Sequence, residues 1–116
     1  MAVIQSGHLV LFRFPQTDLS IGKLRPALLI SPLPGDYKDW LVCMISTKTG
    51  QSIVGLDEIM NSYDTDFNQS GLKSESIIRV SRIAIVNENI FSGTIGHISL
   101  ERIERIKQNL ARWILA

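Results

Sequence analysis

Short apolar segments with frequent breaks are the feature that most limits what this chain can fold into. Proline, glycine or polar residues separate stretches of strand length that are rich in β-branched, aliphatic and aromatic side chains. Five such stretches are predicted, and the fourth is long enough for two strands or one bent strand: Gly7–Phe14, Arg25–Ser31, Asp39–Thr47, Ser76–Val86 and Gly93–Ile98. Five or six short strands followed by one helical segment predict a mainly β, α+β domain: a small, highly curved β-barrel with a C-terminal amphipathic α-helix.

The C-terminal segment carries clear signals for the start of a helix and for its apolar face. Ser99 is a good N-cap residue, and Glu101 in the first turn suits the helix dipole. Apolar residues recur every three or four positions and predict one buried stripe: Leu100, Ile103, Ile106, Leu110 and Trp113. Glu101 and Arg105 are spaced for an i, i+4 ion pair on the helix surface.

The middle of the chain, from Thr49 to Ser74, is the least regular part. Its pattern indicates a short strand near Ser52–Val54 and a helical turn near Gly55–Asn61. This part of the chain is also net acidic, because residues 51–78 hold one lysine against five acidic side chains. Residues 1–50 hold five basic and three acidic side chains, and residues 79–116 hold six and three. Two mildly basic blocks therefore flank an acidic one.

Composition narrows the functional classes. A length of 116 residues predicts a single domain spanning residues 1–116, and 45% hydrophobic residues are enough for one core. A net charge of +1 argues against a protein that binds nucleic acid over a broad basic surface. One cysteine, Cys43, and two distant histidines, His8 and His97, predict neither a disulfide framework nor a metal site, and all three are expected to be structural. We expect no cofactor, no membrane segment and a cytoplasmic location.

Cations and hydroxyls near the ends of the predicted strands are the remaining candidates for chemistry. The loop between the first two strands has the polar groups and the flexible glycine that can enclose a phosphate, and an arginine at the start of the second strand adds a rigid five-donor fork. The candidates in and after this loop are Thr17, Ser20, Gly22, Lys23 and Arg25. Those further along the chain are Ser46, Thr47, Lys48, Arg79 and Ser81.

The order of these pieces resembles the PemK/MazF toxins of bacterial type II toxin–antitoxin systems. The segment GHLVLFRFPQTDLSIGKLRPALLIS is similar to the family's opening, with its Phe-Pro-x-Thr-Asp-like loop and its Arg-Pro strand entry. VCMIST is similar to the third strand, and GLKSESIIRVSRIAIV and GTIGHISLERIERI are similar to the second half. The resemblance covers nearly the whole chain and is weakest between residues 49 and 68.

The resemblance implies a small SH3-like barrel that forms a homodimer and acts as a metal-independent, sequence-specific endoribonuclease on single-stranded RNA such as mRNA. It also implies a cognate antitoxin that neutralises the toxin. By position, Arg25 matches the catalytic arginine and Arg79 matches an arginine that assists cleavage. Ser46 matches a position that is usually threonine, although a register slip of one residue would make Thr47 the catalytic hydroxyl. Ser81 falls where the PemK branch has an aspartate.

The implied chemistry is attack of the RNA 2′-hydroxyl on the adjacent phosphorus. Arg25 and the hydroxyl of Ser46 or Thr47 suit stabilisation of the charge that grows on the phosphate oxygens, and Arg79 assists. Thr17, Ser20, Gly22, Lys23, Lys48 and Ser81 are expected to contact the RNA. Because Ser46 and Ser81 depart from the family pattern, a catalytically inactive small-barrel module that binds nucleic acid or a protein stays open as the alternative.

Overall fold

The computed structural model describes residues 3–13 and 23–116, which form one curled antiparallel sheet with a helix packed on it. The strands are β1 (His8–Arg13), β2 (Leu24–Pro32), β3 (Asp39–Ser46), β4 (Glu58–Met60), β5 (Ser76–Asn87) and β6 (Gly93–His97). Their order in the sheet is β4-β5-β3-β2-β1-β6. The helices are α1 (Phe67–Ser70) and α2 (Leu100–Leu115), and single 3₁₀ turns lie at Thr49–Gln51 and Glu88–Ile90. The predicted curved β architecture with a C-terminal helix is confirmed.

Both faces of the central strands are buried, which explains why their sequences are almost continuously apolar. Leu9 and Leu28 contribute to the core beneath α2, whereas their neighbours Val10 and Leu29 contribute to a second core on the opposite face. Cys43 lies in the first core with no exposed surface. Burial raises the pKa of its thiol, so Cys43 is the inert structural residue that its sequence context predicts.

Strand β5 contains an irregularity that determines how the later cations are placed. Met44 on β3 pairs with Arg79, but the preceding residue, Cys43, pairs with Ile83. Residues 80–82 therefore have no partner on β3 and form a bulge. The predicted stretch from Ser76 is thus one bent strand.

Helix α2 begins as predicted, but it buries less of its stripe than the pattern suggests. The Ser99 hydroxyl accepts a hydrogen bond from the backbone N–H of Arg102 at 3.1 Å, as expected for an N-cap. Ile103, Ile106 and Leu110 are buried, whereas Leu100 and Trp113 are 73% and 58% exposed. The prediction for these two was wrong, because only the middle of the helix packs on the sheet.

The acidic middle of the chain was the least accurately predicted part. Ser52–Val54 is not a strand, and the predicted helical turn is wrong for Glu58–Met60, which pairs as β4 with Ser76–Ile78 of β5. Long-range pairing overrides the weak local preference here. The short helix α1 forms further along the chain instead. Neither of the two described helices is long and apolar enough to cross a membrane.

Arg102 connects α2 to this acidic segment through a largely buried ion cluster. Its guanidinium lies 2.8 Å from Asp66, 2.9 Å from Glu58 and 3.1 Å from Asp64. Glu58 also accepts two hydrogen bonds from Arg105, at 2.7 and 2.9 Å. Arg105 therefore pairs with Glu58 rather than with the predicted Glu101, since the strand carboxylate offers bidentate geometry. The cluster therefore gives three carboxylates of the acidic segment a cationic partner within the protein.

Two glycines allow α1 and β6 to approach each other closely. A Cβ atom at Gly96 would overlap the backbone of Gln69 and Ser70, and one at Gly71 would overlap the carbonyl of Ile95. Gly71 also has a φ of +77°, the left-handed region that favours glycine. The contact holds the 71–74 segment, which follows α1, against β6.

Replacing Gly96 with alanine is expected to lower the free energy of unfolding by about 1–3 kcal/mol, because the new methyl group meets rigid backbone. Gly93→Ala in the same strand is the matched control, since a Cβ there has no neighbour within 4 Å and should change stability by less than about 0.5 kcal/mol. Urea denaturation of both variants measures the difference. Equal stability of the two would contradict this account of the α1–β6 contact.

Candidate functional site

Two adjoining clefts open where β2 begins and β3 ends. The larger cleft has a volume of about 470 Å³, and the smaller one about 390 Å³. Arg25, Ile45, Ser46 and Lys48 line both of them. The two clefts therefore form one continuous site, built around residues that are far apart in the sequence.

Strand register explains why these residues meet. Ala27 pairs with Met44, so the antiparallel ladder extended by two residues brings Arg25 opposite Ser46. Met44 in turn pairs with Arg79 on β5. Because side chains alternate along a strand, Arg25, Ser46 and Arg79 lie on the same face of the sheet as Met44.

The bulge in β5 brings a second arginine of this strand, Arg82, to the smaller cleft. Residues three apart point to opposite faces of a regular strand, yet Arg79 and Arg82 both line this cleft. The unpaired residues 80–82 reset the alternation and bring Arg82 beside Arg79. Met44 and Gln51 complete the lining of the smaller cleft.

The larger cleft is lined by both polar and apolar residues. Its polar lining residues are Arg25, Ser46, Thr47, Lys48, Lys73, Ser74 and Ser76. The remaining lining residues are apolar side chains and one glycine: Leu11, Leu24, Pro26, Ile45, Gly71, Leu72 and Ile95. The 71–74 segment and the start of β2 thus both contribute to this cleft.

The charge of the site is positive in the part of the chain that the structure describes. None of the described residues that line either cleft is acidic, whereas five of them are cationic: Arg25, Lys48, Lys73, Arg79 and Arg82. Among the described carboxylates, only Asp57 forms an ion pair with any of these five, with Arg79. Such a site attracts an anion and leaves most of its cationic groups available to it.

Ser46 and Thr47, the two alternatives for the catalytic hydroxyl, occupy different positions. Ser46 is half-buried and lines both clefts, and its oxygen accepts a hydrogen bond from the backbone N–H of Lys48 at 3.1 Å. The Ser46 hydroxyl proton remains available for a ligand. Thr47 is exposed and lines only the larger cleft.

Several of the predicted site residues are not among the described residues that line the clefts. Lys23 is exposed and lines neither cleft. Thr17, Ser20 and Gly22 lie outside the described residues. Ser81 also lines neither cleft: its backbone N–H and its hydroxyl both donate to the carboxylate of Asp57, at 2.9 and 3.2 Å. The structure therefore does not bring Ser81 to the clefts as a contact for RNA.

Sequence reasoning missed the 71–74 segment and Asp57. Lys73 had a visible signal, since it is the single cation of the acidic block 51–78. Asp57 had none, because its approach to Ser81, 24 positions away, depends on the fold of the whole acidic segment.

The two histidines, which are expected to be structural, line neither cleft. His8 and His97 are cross-strand partners on β1 and β6, with ring centroids 6.2 Å apart. Partial burial and, to a smaller extent, the neighbouring His97 lower the pKa of His8. Within residues 3–13 and 23–116, no group of three or more histidine, cysteine, aspartate or glutamate residues is arranged to hold a metal ion.

Comparisons with known proteins point to one family. Residues 5–114 match the family model described as PemK-like, MazF-like toxin of type II toxin–antitoxin system. No curated protein sequence matches the chain. A similar solved structure is an endoribonuclease in complex with its cognate antitoxin from Mycobacterial species, with 12% sequence identity and a TM-score of 0.64. That match covers 97% of this chain and 95% of the other, and at this identity it shows a shared fold.

Proposed function

Because the chain belongs to the PemK-like, MazF-like toxins of type II toxin–antitoxin systems, we propose that it is an endoribonuclease that cuts single-stranded RNA at the two clefts. The observation that carries this proposal is the meeting of Arg25, Ser46 and Lys48, which line both clefts without an acidic residue among the described lining. The similar solved structure, itself an endoribonuclease, supports the same assignment.

In the proposed reaction, the 2′-oxygen of a nucleotide attacks the adjacent phosphorus, and the bond from phosphorus to the 5′-oxygen breaks. The 2′-hydroxyl releases its proton to solvent as the new bond forms, and the leaving 5′-oxygen takes one up from solvent. The products are therefore a 2′,3′-cyclic phosphate and a 5′-hydroxyl. Negative charge grows on the non-bridging oxygens, where Arg25 donates two hydrogen bonds and Ser46 donates one. Lys48 binds a neighbouring phosphate, and Arg79 assists from the smaller cleft.

The chemistry rests mainly on stabilisation of charge. Arginine stays protonated in proteins, so Arg25 acts as a donor and a cation rather than as a base. No described residue that lines either cleft is a histidine or a carboxylate, and we assign no general base. The cationic side chains supply the charge that the transition state requires, and we propose that cleavage needs no metal ion.

Sequence specificity is proposed to come from the larger cleft. Its volume of about 470 Å³ suits one or two splayed nucleotides, with apolar contacts from Leu72 and Ile95 and hydrogen bonds from Thr47 and Ser74. The described lining of both clefts contains no aromatic side chain, so stacking on aromatic rings contributes little there. Single-stranded RNA is favoured because its bases can turn outward into such a cleft.

We propose two protein partners and a cytoplasmic location, where mRNA is translated. We propose that a cognate antitoxin binds the chain and blocks the cationic clefts. The similar solved structure, an endoribonuclease in complex with its cognate antitoxin, supports a partner of this kind. A second copy of the chain would cover apolar side chains that one copy leaves exposed, among them Ile83 and Ile85 on β5, which are 38% and 52% exposed.

Incubation of the purified protein with a long single-stranded RNA in excess EDTA tests this function. We expect discrete fragments that end in a cyclic phosphate and that share a short sequence at every cut. An RNA with 2′-deoxyribose at the cut site should resist cleavage, because the attacking oxygen is missing.

The other outcomes separate the remaining possibilities. RNA that stays intact over a wide range of protein concentrations would contradict the nuclease and favour an inactive binding module, which Ser46 in place of threonine makes a specific alternative. Cleavage that appears only after a divalent cation is added would contradict metal independence and leave the nuclease assignment in place.

A further inference from the structure

Asp57 is a buried carboxylate next to the smaller cleft. It lies in the turn before β4, its side chain has no exposed surface, and it is not among the residues that line the cleft. It accepts hydrogen bonds from the backbone N–H groups of Ile53 and Ser81, both at 2.9 Å, and from the Ser81 hydroxyl at 3.2 Å. Its Oδ2 atom lies 3.7 Å from Nε of Arg79.

Among the described carboxylates, Asp57 is the only one that forms an ion pair with Arg79. Its side chain is 11% exposed, and its Nε is buried without a hydrogen-bond partner in the described part of the chain. Nη1 makes one long hydrogen bond to Gln51, at 3.5 Å. Arg25, Lys48 and Arg82 line the same cleft and repel the Arg79 guanidinium. A buried cation in these surroundings needs a counter-charge, and Asp57 provides it.

We propose that Asp57 is a positioning residue for the cleavage reaction: it holds the Arg79 guanidinium at the smaller cleft, ready for the RNA phosphate. This inference rests on the proposed function for its effect on cleavage. Its structural part, the dependence of the Arg79 side chain on the Asp57 charge, stands without RNA. Asp57 acts through Arg79 and does not itself contact the substrate.

A purely structural role for Asp57 makes different predictions. The carboxylate accepts from Ser81 in the bulge, and this satisfies a backbone N–H that has no partner on β3. If that were its whole role, loss of the charge would affect folding stability, and any loss of activity would not depend on Arg79. Whether the effect of Asp57 on cleavage depends on Arg79 therefore separates the positioning role from the structural one.

A double-mutant cycle on RNA cleavage measures that coupling. Asp57→Asn keeps the size and one acceptor oxygen, and we expect it to lower kcat by about 10- to 100-fold with KM changed little, because Arg79 loses its alignment. Arg79→Ala should lower kcat by at least as much. Asp57→Asn in the Arg79→Ala background should then have almost no further effect. Asp36→Asn, at an exposed turn, is the matched control and should retain full activity.

A second experiment restores the lost negative charge from the neighbouring residue, Ser81. Because the Ser81 hydroxyl lies 3.2 Å from Oδ2 of Asp57, Ser81→Asp in the Asp57→Asn background returns a carboxylate close to Arg79. We expect kcat to recover to within about fivefold of the wild-type value. Independent, multiplicative effects of Asp57→Asn and Arg79→Ala, or no recovery in a folded Asp57→Asn/Ser81→Asp protein, would overturn the proposal.

A measurement without RNA separates this inference from the proposed function. The Nε–H signal of Arg79 in a ¹H–¹⁵N spectrum can be assigned from its loss in Arg79→Lys. In the wild type it should be sharp and protected from exchange, and in Asp57→Asn it should shift and broaden. An unchanged Arg79 signal in Asp57→Asn would overturn the proposal even if the wild type cuts RNA. A wild type that cuts no RNA would overturn the nuclease assignment and leave this structural test to decide the inference.

Discussion

Replacing Arg25 with alanine is expected to lower the rate of RNA cleavage by about 10²- to 10³-fold, with little change in folding stability. Arg25 is exposed, lies near the start of β2 and lines both clefts. Its removal takes a bidentate donor from the oxygens that become charged, and no other described arginine lines the larger cleft. Single-turnover cleavage of a defined RNA, measured with saturating protein, reports the loss in the chemical step.

Two further variants make the Arg25 result interpretable. Arg25→Lys keeps the charge but loses the planar fork, so it should recover only part of the lost rate. Arg112→Ala removes an exposed arginine of α2 that lines neither cleft, and it should cut RNA at the wild-type rate. Full activity of a folded Arg25→Ala protein would contradict the catalytic role assigned to Arg25.

The largest expected effect on stability comes from Arg102→Met, which should lower the free energy of unfolding by about 3–5 kcal/mol. Methionine fills much of the volume, but it leaves the carboxylates of Asp64 and Asp66 without their cation and takes one of the two guanidinium partners from Glu58. The variant would also lose the link between α2 and the acidic segment. Chemical denaturation at neutral pH measures the difference.

The pH dependence of the stability lost in Arg102→Met shows whether that loss comes from the ion cluster. Burial alone would raise the pKa of Asp66, but hydrogen bonds from Arg102 and from the backbone of Ser99 bring it below its ordinary value near 3.8. The wild type therefore keeps this stabilisation above about pH 4 and loses it as the pH falls through the lowered folded-state value. The deficit of Arg102→Met should shrink over that acidic range.

Arg112→Met is the matched control for Arg102→Met. Arg112 is an exposed arginine whose side chain bonds to Asn109 on the same helix, so its replacement should change stability by less than about 0.5 kcal/mol. A deficit of Arg102→Met that equals that of Arg112→Met, or that stays constant from pH 7 to pH 3, would contradict the role of the ion cluster.

Local sequence signals predicted the architecture well, because each of them acts over a few residues. The strand runs, the breaks at proline and glycine and the Ser99 cap place most elements within a residue or two of the observed bounds. The acidic segment lacked such signals. Its strand exists because Glu58–Met60 pairs with β5, and this partner lies more than a dozen positions away. Likewise, helical periodicity alone does not show how much of the apolar stripe the sheet covers, so it did not predict that Trp113 is exposed.

The candidate site was predicted in part, through the resemblance and through residue chemistry. Arg25, Ser46, Thr47, Lys48 and Arg79 were named from the sequence, and the structure brings all five to one pair of clefts. Lys73 and Asp57 were not named, because their positions depend on the α1–β6 contact and on the fold of the acidic segment. In a regular strand, the side chains of Arg79 and Arg82 would point to opposite faces of the sheet. Only the observed register shows the bulge that brings both to one cleft.

The bulge has a consequence for when the toxin can act during its own synthesis. The smaller cleft needs the start of β2, the end of β3 and both arginines that flank the bulge, so the chain must be made through Arg82 before the cleft exists. Its assembly depends on contacts between distant parts of the chain, which form late in folding. A nascent chain that ends before Arg82 carries Arg25 and Ser46 without the complete site. At the proposed site, we therefore expect cleavage to begin only once β5 has been synthesised and has paired with β3.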